Sequence, residues 1–305
     1  MRKVFVSYSH KQGEWVRDRL VTVLKAGGAE VLIDVTRFQA GIAVPQQMDG
    51  TQDLADIHLL VLSPDYLSSP ACVHEMERAI ATDPSFARGS IVPVVRVPCT
   101  MPAGITIPDP LRVKLDDDSK SGQWDLLMTA CGADLGAAVP HWLECLESVQ
   151  RFLSRKDSVH LRVIGTPKWR ELLDAVDEKF PDRIGCVDLN SGSTVSRPHL
   201  VAAILTACGH NATGKGEPDD LEELQTRIGS SNGAMLALRH FDRVLDPDRK
   251  YGDAFFWALN HLVETRKLCL LIESRASLSA LVPRALQGSS LVTNLQTVEL
   301  RASKP

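Results

Sequence analysis

The sequence predicts an α/β fold, in which strands and helices alternate along the chain and the strands form parallel sheets. Short β-branched, apolar runs such as KVFVSY alternate with segments whose apolar residues recur at helical spacing. These runs are apolar at almost every position, which is typical of strands that helices cover on both faces. The 305 residues are enough for about two such domains.

The first half of the chain predicts five strands with helices between them. The opening strand, residues 3–8, precedes a helix over 14–25 that Gly27 and Gly28 end. The next predicted elements, strand and helix in turn, are 30–33, 45–54, 57–62, 71–82, 91–95, and then the strand 112–115 and the helix 124–131. The Pro-rich segment 93–110 is predicted to form a surface loop. This order indicates one parallel sheet with helices on both faces.

The second half repeats the pattern after the small-residue linker GADLGAAVP, which places a domain boundary near residue 138. The two predicted domains are therefore 1–138 and 139–305. The predicted helices are 141–153, 169–178, 200–208, 220–228 and 253–266, and the predicted strands are 159–164, 186–189, 234–238 and 268–273. The second domain is accordingly expected to be α/β as well. Phe255, Phe256 and Trp257 lie on one apolar helix and are expected to be core residues.

Composition excludes several classes of function. A formal net charge of -4 gives no reason to expect direct nucleic acid binding. The seven cysteines are scattered, with no CxxC pair or zinc-type spacing, so we expect no metal site and a reducing environment. No segment reaches the roughly 18 apolar residues of a membrane span, and the N-terminus lacks the pattern of a signal peptide. The expectation is a cytoplasmic protein with no membrane partner.

Polar residues follow the predicted strands of the first half at the point where ligands of parallel sheets bind. Ser7, Tyr8 and Ser9 lie at the end of the first strand, and Asp34 follows the second. Glu75 lies beyond the third strand, in the next helix. The sequence therefore predicts a ligand site at this edge of the sheet.

Three segments, VFVSYSH, IDVTRFQAG and LLVLSPDYLSSPACVHEMERA, have the order and spacing of bacterial TIR domains. The first half, over about residues 3–132, resembles that family, whose fold is flavodoxin-like with a five-stranded parallel sheet. The most specific part is the Cys-x-x-Glu step from Cys72 to Glu75. The alternative, another flavodoxin-like domain such as a receiver, needs an acidic cluster after the first strand, which this chain lacks.

The resemblance implies one of two roles, because TIR domains either cleave NAD or act as assembly adaptors. In the enzymes, the carboxylate at the position of Glu75 stabilises the electron-poor ribose that forms as cationic nicotinamide leaves. NAD is then the substrate, and no cofactor or metal is expected. The alternative for Glu75 is an exposed first-turn glutamate that the helix dipole favours. The family often has Trp where this chain has Ala71, so activity is expected to be slow or conditional.

The resemblance also implies a set of side chains around the substrate. They are Ser7, Tyr8, Ser9, Asp34, Arg37, Phe38 and Cys72. For Tyr8 and Cys72 simple packing is the alternative, and for Asp34 the alternative is a loop cap. Arg37 and Phe38 belong to the segment 35–44, which matches the family's mobile loop, where they contact nucleotide or a neighbouring TIR domain. A plain solvated charge remains the alternative for Arg37.

The second half contains GHNATGKG at residues 209–216, which matches a phosphate loop except at its last position. Such a loop needs Ser or Thr after the Lys, a strand before it and a helix after it. Gly216 replaces the hydroxyl residue, and HLVAAILTAC before the motif reads as helix. HLRVIG, MLALRHFDRV and KLCLLIESRASLSALVP instead resemble the strands of a STAND-type P-loop ATPase core that has lost its nucleotide chemistry. An unrelated α/β interaction domain is the alternative.

Three functions remain open from the sequence. The first is an NAD glycohydrolase of bacterial anti-phage defence, which assembly through the C-terminal domain activates. The second is a non-enzymatic adaptor that acts through the 35–44 loop. The third is a switch triggered by a nucleotide bound to the second domain. The expected partners are NAD, other copies of the TIR domain, and an activating protein or nucleotide.

Overall fold

The computed structural model describes residues 1–33, 50, 52–102, 104–108, 112–166, 168–180, 184–213, 216–217, 219–231 and 233–302. The chain divides into two compact units, Met1–Leu143 and Glu144–Pro305. Within the described residues, each unit has one parallel sheet of five strands, which confirms the predicted α/β class. The division falls inside a helix, Val139–Ser154, that begins just after the predicted boundary.

The N-terminal sheet has the strand order β2-β1-β3-β4-β5. Its strands are β1 (Lys3–Tyr8), β2 (Glu30–Leu32), β3 (Ile57–Leu62), β4 (Ile91–Val95) and β5 (Val113–Lys114). Every residue of β3 is buried, because helices cover both faces of the sheet. This order is that of flavodoxin-like folds, and it reverses between β1 and β3. The predicted fold of the first half is confirmed.

Helices of the N-terminal unit begin close to their predicted positions. They are α1 (Gly13–Trp15), a π-helical segment (Val16–Val21), α2 (Thr22–Ala26), α3 (Pro64–Leu67), α4 (Pro70–Thr82) and α5 (Ser121–Cys131). Most of the predicted helix 45–54 lies outside the described residues. The short helix α3 was not predicted.

Two serine caps fix where α3 and α4 begin. The hydroxyl of Ser63 accepts a hydrogen bond from the backbone N–H of Tyr66, and that of Ser69 accepts one from Cys72. A proline follows each serine at the first helical position, where its missing N–H costs nothing. Because these caps fix where each helix begins, they determine the direction in which each side chain of α3 and α4 points.

The C-terminal sheet has the strand order β10-β6-β9-β8-β7. Its strands are β6 (Val159–Ile164), β7 (Ile184–Asp188), β8 (Ala234–Arg239), β9 (Leu268–Ser274) and β10 (Gln296–Arg301). The edge strand β10 was not predicted. Its inner residues Val298 and Leu300 are buried while their neighbours are not, so it lacks the continuous apolar run of a central strand.

Seven α-helices of the C-terminal region can be named within the described residues. They are α6 (Val139–Ser154), α7 (Trp169–Lys179), α8 (Arg197–Ala207), α9 (Asp219–Gly229), α10 (Gly252–Glu264), and the short α11 (Leu278–Leu281), and a further short helix, α12 (Ser290–Thr293), precedes β10. Gly185 of β7 packs against the end of α8, where a Cβ would lie 2.3 Å from the carbonyl oxygen of Ala207. Glycine is therefore required at this contact.

Helix α10 corrects one expectation about the core. Phe255 and Phe256 are buried, as their apolar sequence predicts, but Trp257 is 49% exposed. Successive helical residues are turned by about 100°, so three aromatic neighbours do not share one face. The expectation that Trp257 is a core residue was wrong.

A helix that is both long and apolar enough to span a bilayer is not found in the part of the chain that the structure describes.

Candidate functional site

The candidate site lies where the carboxyl ends of β1 and β3 meet, at the edge of the N-terminal sheet that is called its carboxyl edge below. The strand order reverses between these two strands, and such reversals open the crevice in which ligands of this fold bind. Ser7 comes from β1, Tyr66 from α3 and Glu75 from α4. The sequence prediction that Ser7 and Glu75 belong to one edge is therefore matched by their positions.

Glu75 is buried, with 7% of its surface exposed, and it lies in the second turn of α4. Its Oε2 atom is 2.5 Å from the Oγ of Ser7, which donates the hydrogen bond. Its backbone carbonyl accepts a 2.9 Å hydrogen bond from the buried side chain of Gln52. An exposed first-turn glutamate, the alternative left open by the sequence, is thereby excluded.

Tyr66 joins this arrangement, although no role was predicted for it from the sequence. Its side chain is fully buried, and its Oη atom is 2.8 Å from Ser7 Oγ. Burial raises the pKa of Tyr66 well above its usual value; the contact with Ser7 acts in the opposite direction, and the charge of Glu75 raises the pKa further. The motif Ser-Pro-Asp-Tyr-Leu contained the signal, because a tyrosine directly after a buried strand must be placed at the strand's end.

Tyr8 and Cys72 contact each other at the carboxyl edge of the N-terminal sheet. The carbonyl oxygen of Tyr8 accepts a 3.6 Å hydrogen bond from the thiol of Cys72. The Oη atom of Tyr8 is buried, and it has no hydrogen-bond partner among the residues that the structure describes. Cys72 also packs in an apolar cluster with Leu60 and Met76. Packing therefore accounts for the position of Cys72, and direct substrate contact by either side chain stays a prediction.

The remaining predicted residues divide into two groups. Ser9 is buried and its carbonyl accepts a 2.8 Å hydrogen bond from the backbone of Gln12, and its substrate contact stays a prediction. Asp34, Arg37 and Phe38 lie outside the described residues.

Two polar contacts tie the turn after β1 to the residues after β3. Lys11 Nζ is 2.6 Å from Asp65 Oδ1, an exposed ion pair. The hydroxyl of Ser63 donates a 3.1 Å hydrogen bond to the side-chain oxygen of Gln12. The hydroxyl of Ser63 thus both caps α3 and links the residues after β3 to the turn after β1.

The carboxyl edge of the C-terminal sheet has a cleft of about 490 Å³. Its lining residues are Trp169, Asn190, His240, Asp242, Arg243, Asp246, Glu273 and Arg275; we call it the second-unit cleft. His240 Nδ1 is 2.7 Å from Asp188 Oδ1, and its backbone N–H donates a 2.5 Å hydrogen bond to Glu273. Because an ionised carboxylate only accepts, His240 Nδ1 carries the proton.

Carboxylates around the second-unit cleft are engaged by protein donors. Asp242 accepts hydrogen bonds of 2.8 and 2.9 Å from the backbone N–H groups of Arg275 and Ala276. Burial raises the pKa of Glu273, against the lowering effect of the His240 N–H. Burial also acts to raise the pKa of Asp188, but hydrogen bonds from Asn190 and His240 outweigh it and lower that pKa. Within the described residues, no group of three or more acidic, His or Cys side chains is placed to hold a metal ion.

Neither candidate phosphate loop has the required setting. The motif at 209–216 follows the helix α8 rather than a strand, as its sequence indicated. The connection from β6 to α7 spans only residues 165–168 and has no Gly-Lys-Ser/Thr. Among the described residues of these two connections, the structure therefore shows no strand, glycine-rich loop and helix in the order that a P-loop needs.

Comparison with known families decides the identity of the first half. Residues 4–127 match the TIR domain family. The N-terminal unit carries a TIR domain. The resemblance inferred from VFVSYSH and the Cys-x-x-Glu step is confirmed. A comparison with curated proteins gave no match.

Several solved structures are similar to parts of the chain. The TIR domain of the Toll-related Receptor TRR-2 from Hydra magnipapillata has 18% sequence identity and a TM-score of 0.37, with 43% of this chain and 99% of that chain covered. Drosophila ORC bound to DNA has 12% identity and a TM-score of 0.40, covering 54% and 91%. The Aeropyrum pernix ORC1 protein in complex with DNA has 18% identity and a TM-score of 0.37, covering 52% and 44%.

Proposed function

We propose that the TIR domain cleaves the bond between nicotinamide and ribose in NAD, with Glu75 as the catalytic carboxylate. The observation that carries this proposal is the burial of Glu75 at the reversal point between β1 and β3, with Ser7 hydrogen-bonded to its side chain. Structural glutamates on a helix are usually exposed, whereas this one is withdrawn from solvent at the edge where ligands of this fold bind.

The chemistry needs little more than one carboxylate. Nicotinamide is cationic in NAD, so the C–N bond breaks with its electron pair moving to the ring nitrogen, and no acid is required. The ribose carbon becomes positively charged, and a carboxylate beside it lowers the energy of that state. Water then adds to the carbon and loses a proton, which gives ADP-ribose; attack by an adenine nitrogen gives a cyclic isomer.

The C-terminal unit is proposed to control this activity. Unregulated NAD cleavage would harm the host cell, so a second unit with a controlling role is expected. We propose that the chain is one of the effectors of bacterial anti-phage defence, which deplete NAD after self-association of their TIR domains. A partner protein or small-molecule signal that acts on the C-terminal unit would be the trigger.

The test is incubation of the full chain with NAD, over a range of protein concentrations, with chromatographic detection of nicotinamide. Glu75→Gln should lower turnover by about 100- to 1,000-fold, the usual effect of losing a group that stabilises transition-state charge. Glu77→Gln is the matched control, because it makes the same change on an exposed face of the same helix. Equal activity in Glu75→Gln and the wild type would refute the proposal.

The competing role is a non-enzymatic adaptor. It predicts that no concentration of the full chain releases nicotinamide and that Glu75→Gln self-associates like the wild type. Analytical ultracentrifugation of the same samples measures that association. Nicotinamide release that depends on Glu75 would exclude a purely adaptor role.

A further inference from the structure

The contacts of Tyr66 define the direction of two successive hydrogen bonds. Ser7 Oγ is 2.5 Å from Glu75 Oε2 and 2.8 Å from Tyr66 Oη. An ionised carboxylate can only accept, so the single hydroxyl proton of Ser7 points to Glu75. The contact between Ser7 and Tyr66 then requires the proton of Tyr66. Tyr66 donates to Ser7, and Ser7 donates to Glu75.

The three hydrogen-bonded residues come from different elements, and all three side chains are buried. Ser7 is at the end of β1, Tyr66 is in α3 and Glu75 is in α4. The Ser63 cap fixes α3 and the Ser69 cap fixes α4. The three hydroxyl and carboxyl groups therefore meet because of backbone geometry that is set independently of the hydrogen bonds themselves.

We propose that Tyr66 is a positioning residue for Glu75, acting through the hydroxyl of Ser7 to hold the carboxylate in one orientation and in its charged form. Hydrogen bonds donated to a carboxylate favour its charged form, and successive hydrogen bonds strengthen one another in a buried setting. The charged form is the one that stabilises a cationic ribose. This inference rests on the proposed NAD cleavage, and it assigns Ser7 first to Glu75 and only then to substrate.

The experiment compares Ser7→Ala, Tyr66→Phe and the double variant in the full chain, with NAD turnover measured across pH. Ser7→Ala should lower kcat/KM by roughly 10- to 100-fold, as for loss of a hydrogen bond to a charged group. Tyr66→Phe should lower it by about three- to tenfold. The acid limb of the pH profile should move to higher pH by roughly one pH unit in both.

The double variant distinguishes positioning from packing. If Tyr66 acts through Ser7, then Tyr66→Phe has no further effect once Ser7 is alanine, so the two losses are not additive. Additive losses, or an unmoved acid limb in both single variants, would overturn the proposal. Tyr251→Phe is the control, since it removes a buried, hydrogen-bonded hydroxyl from the C-terminal unit and should keep the wild-type pH profile.

A second readout does not depend on turnover. Glutamate-selective ¹³C labelling gives the titration of each carboxyl group, and the signal lost in Glu75→Gln identifies Glu75. Its titration should move to higher pH in Ser7→Ala and in Tyr66→Phe. If the wild type releases no nicotinamide but the titration of Glu75 moves in the variants, the NAD proposal fails and the positioning of Glu75 by Tyr66 through Ser7 stands. If turnover depends on Glu75 but the titration of Glu75 is the same in the variants as in the wild type, the positioning role of Tyr66 is refuted. Should Tyr66→Phe not fold, a fluorotyrosine in place of Tyr66 replaces that variant, because its more acidic hydroxyl is a stronger donor and should move the titration of Glu75 to lower pH; an unmoved titration would then overturn the proposal.

Discussion

The carboxyl edges of the two sheets share an architecture but hold their carboxylates in different ways. In the N-terminal unit, Glu75 accepts a hydrogen bond from a hydroxyl that a second hydroxyl orients. In the C-terminal unit, Asp188 is paired with an imidazole, and Asp242 accepts two backbone N–H groups. A neutral hydroxyl holds a carboxylate without cancelling its charge, whereas an imidazole ring offsets that charge whenever the ring is protonated.

This difference separates a site suited to a cationic reaction centre from one suited to holding structure. Parallel sheets bring polar residues to the same edge in both units, so the edge alone does not define chemistry. The chemistry of each edge depends on the donor that is hydrogen-bonded to its carboxylate. The C-terminal unit is accordingly expected to depend on its charged pairs for stability to a greater extent than the N-terminal unit.

The largest effect of that dependence is expected at the ion pair between Arg197 and Asp220. The carboxylate of Asp220 is 1% exposed and accepts hydrogen bonds of 2.9 and 3.0 Å from Arg197. Asp220→Ala should lower the free energy of unfolding of the C-terminal unit by about 3 kcal/mol, because a largely buried guanidinium loses its bidentate partner and keeps only the more exposed carboxylate of Glu217, 3.3 Å away. Urea unfolding followed by circular dichroism measures this change.

The control is the pair between Arg78 and Asp53 in the N-terminal unit, where the Asp53 side chain is 68% exposed. Asp53→Ala should change the free energy of unfolding by less than about 1 kcal/mol, the usual value for an exposed pair. Equal losses in the two variants would contradict the comparison between the units.

A slightly smaller effect is expected from acid. Burial lowers the pKa of His160 to about 4, with a further lowering by Arg162. Between pH 6.5 and 4 the unfolded state binds the proton and the folded state does not, so stability falls as pH falls through this range. The loss should approach about 3 kcal/mol at pH 4. Urea unfolding at pH 7 and pH 4.5 measures it.

His160→Gln retains a donor toward Ser274, which lies 2.8 Å from His160 Nε2, but cannot titrate. Its free energy of unfolding should therefore depend less on pH than that of the wild type. The pKa of His58 in the N-terminal sheet is also lowered by burial, so that unit should lose stability in the same direction. An unchanged pH dependence in His160→Gln would show that other groups cause the acid effect.

The smallest effect is expected at Ala71, where TIR domains often have Trp. Ala71 is exposed in the first turn of α4, so a larger side chain fits there without rearrangement of the core. Ala71→Trp should raise NAD turnover by roughly fivefold or less, a gain of about 1 kcal/mol from an added aromatic contact near the site. Unchanged or lower turnover would show that the missing ring does not limit activity.

Much of the N-terminal fold could be predicted because its signals are local. The buried run Ile57–Leu62, the serine that caps α4 with the proline after it, and the helical spacing that follows are all contained in short stretches of sequence. The edge strand β10 was missed because only alternate residues are buried. The prediction for Trp257 failed because an apolar side chain does not specify which helix face meets the core.

The sequence by itself determined the α/β order, the TIR domain and the helix that carries Glu75. Only the tertiary structure decided that Glu75 is buried, because burial depends on chain segments that are distant in sequence. Ser7 lies 68 residues from Glu75 and 59 from Tyr66, and β1 pairs directly with β3. Local patterns fix which residues form an element, but the pairing of elements fixes which side chains meet, and hence that a serine and a tyrosine hold the carboxylate.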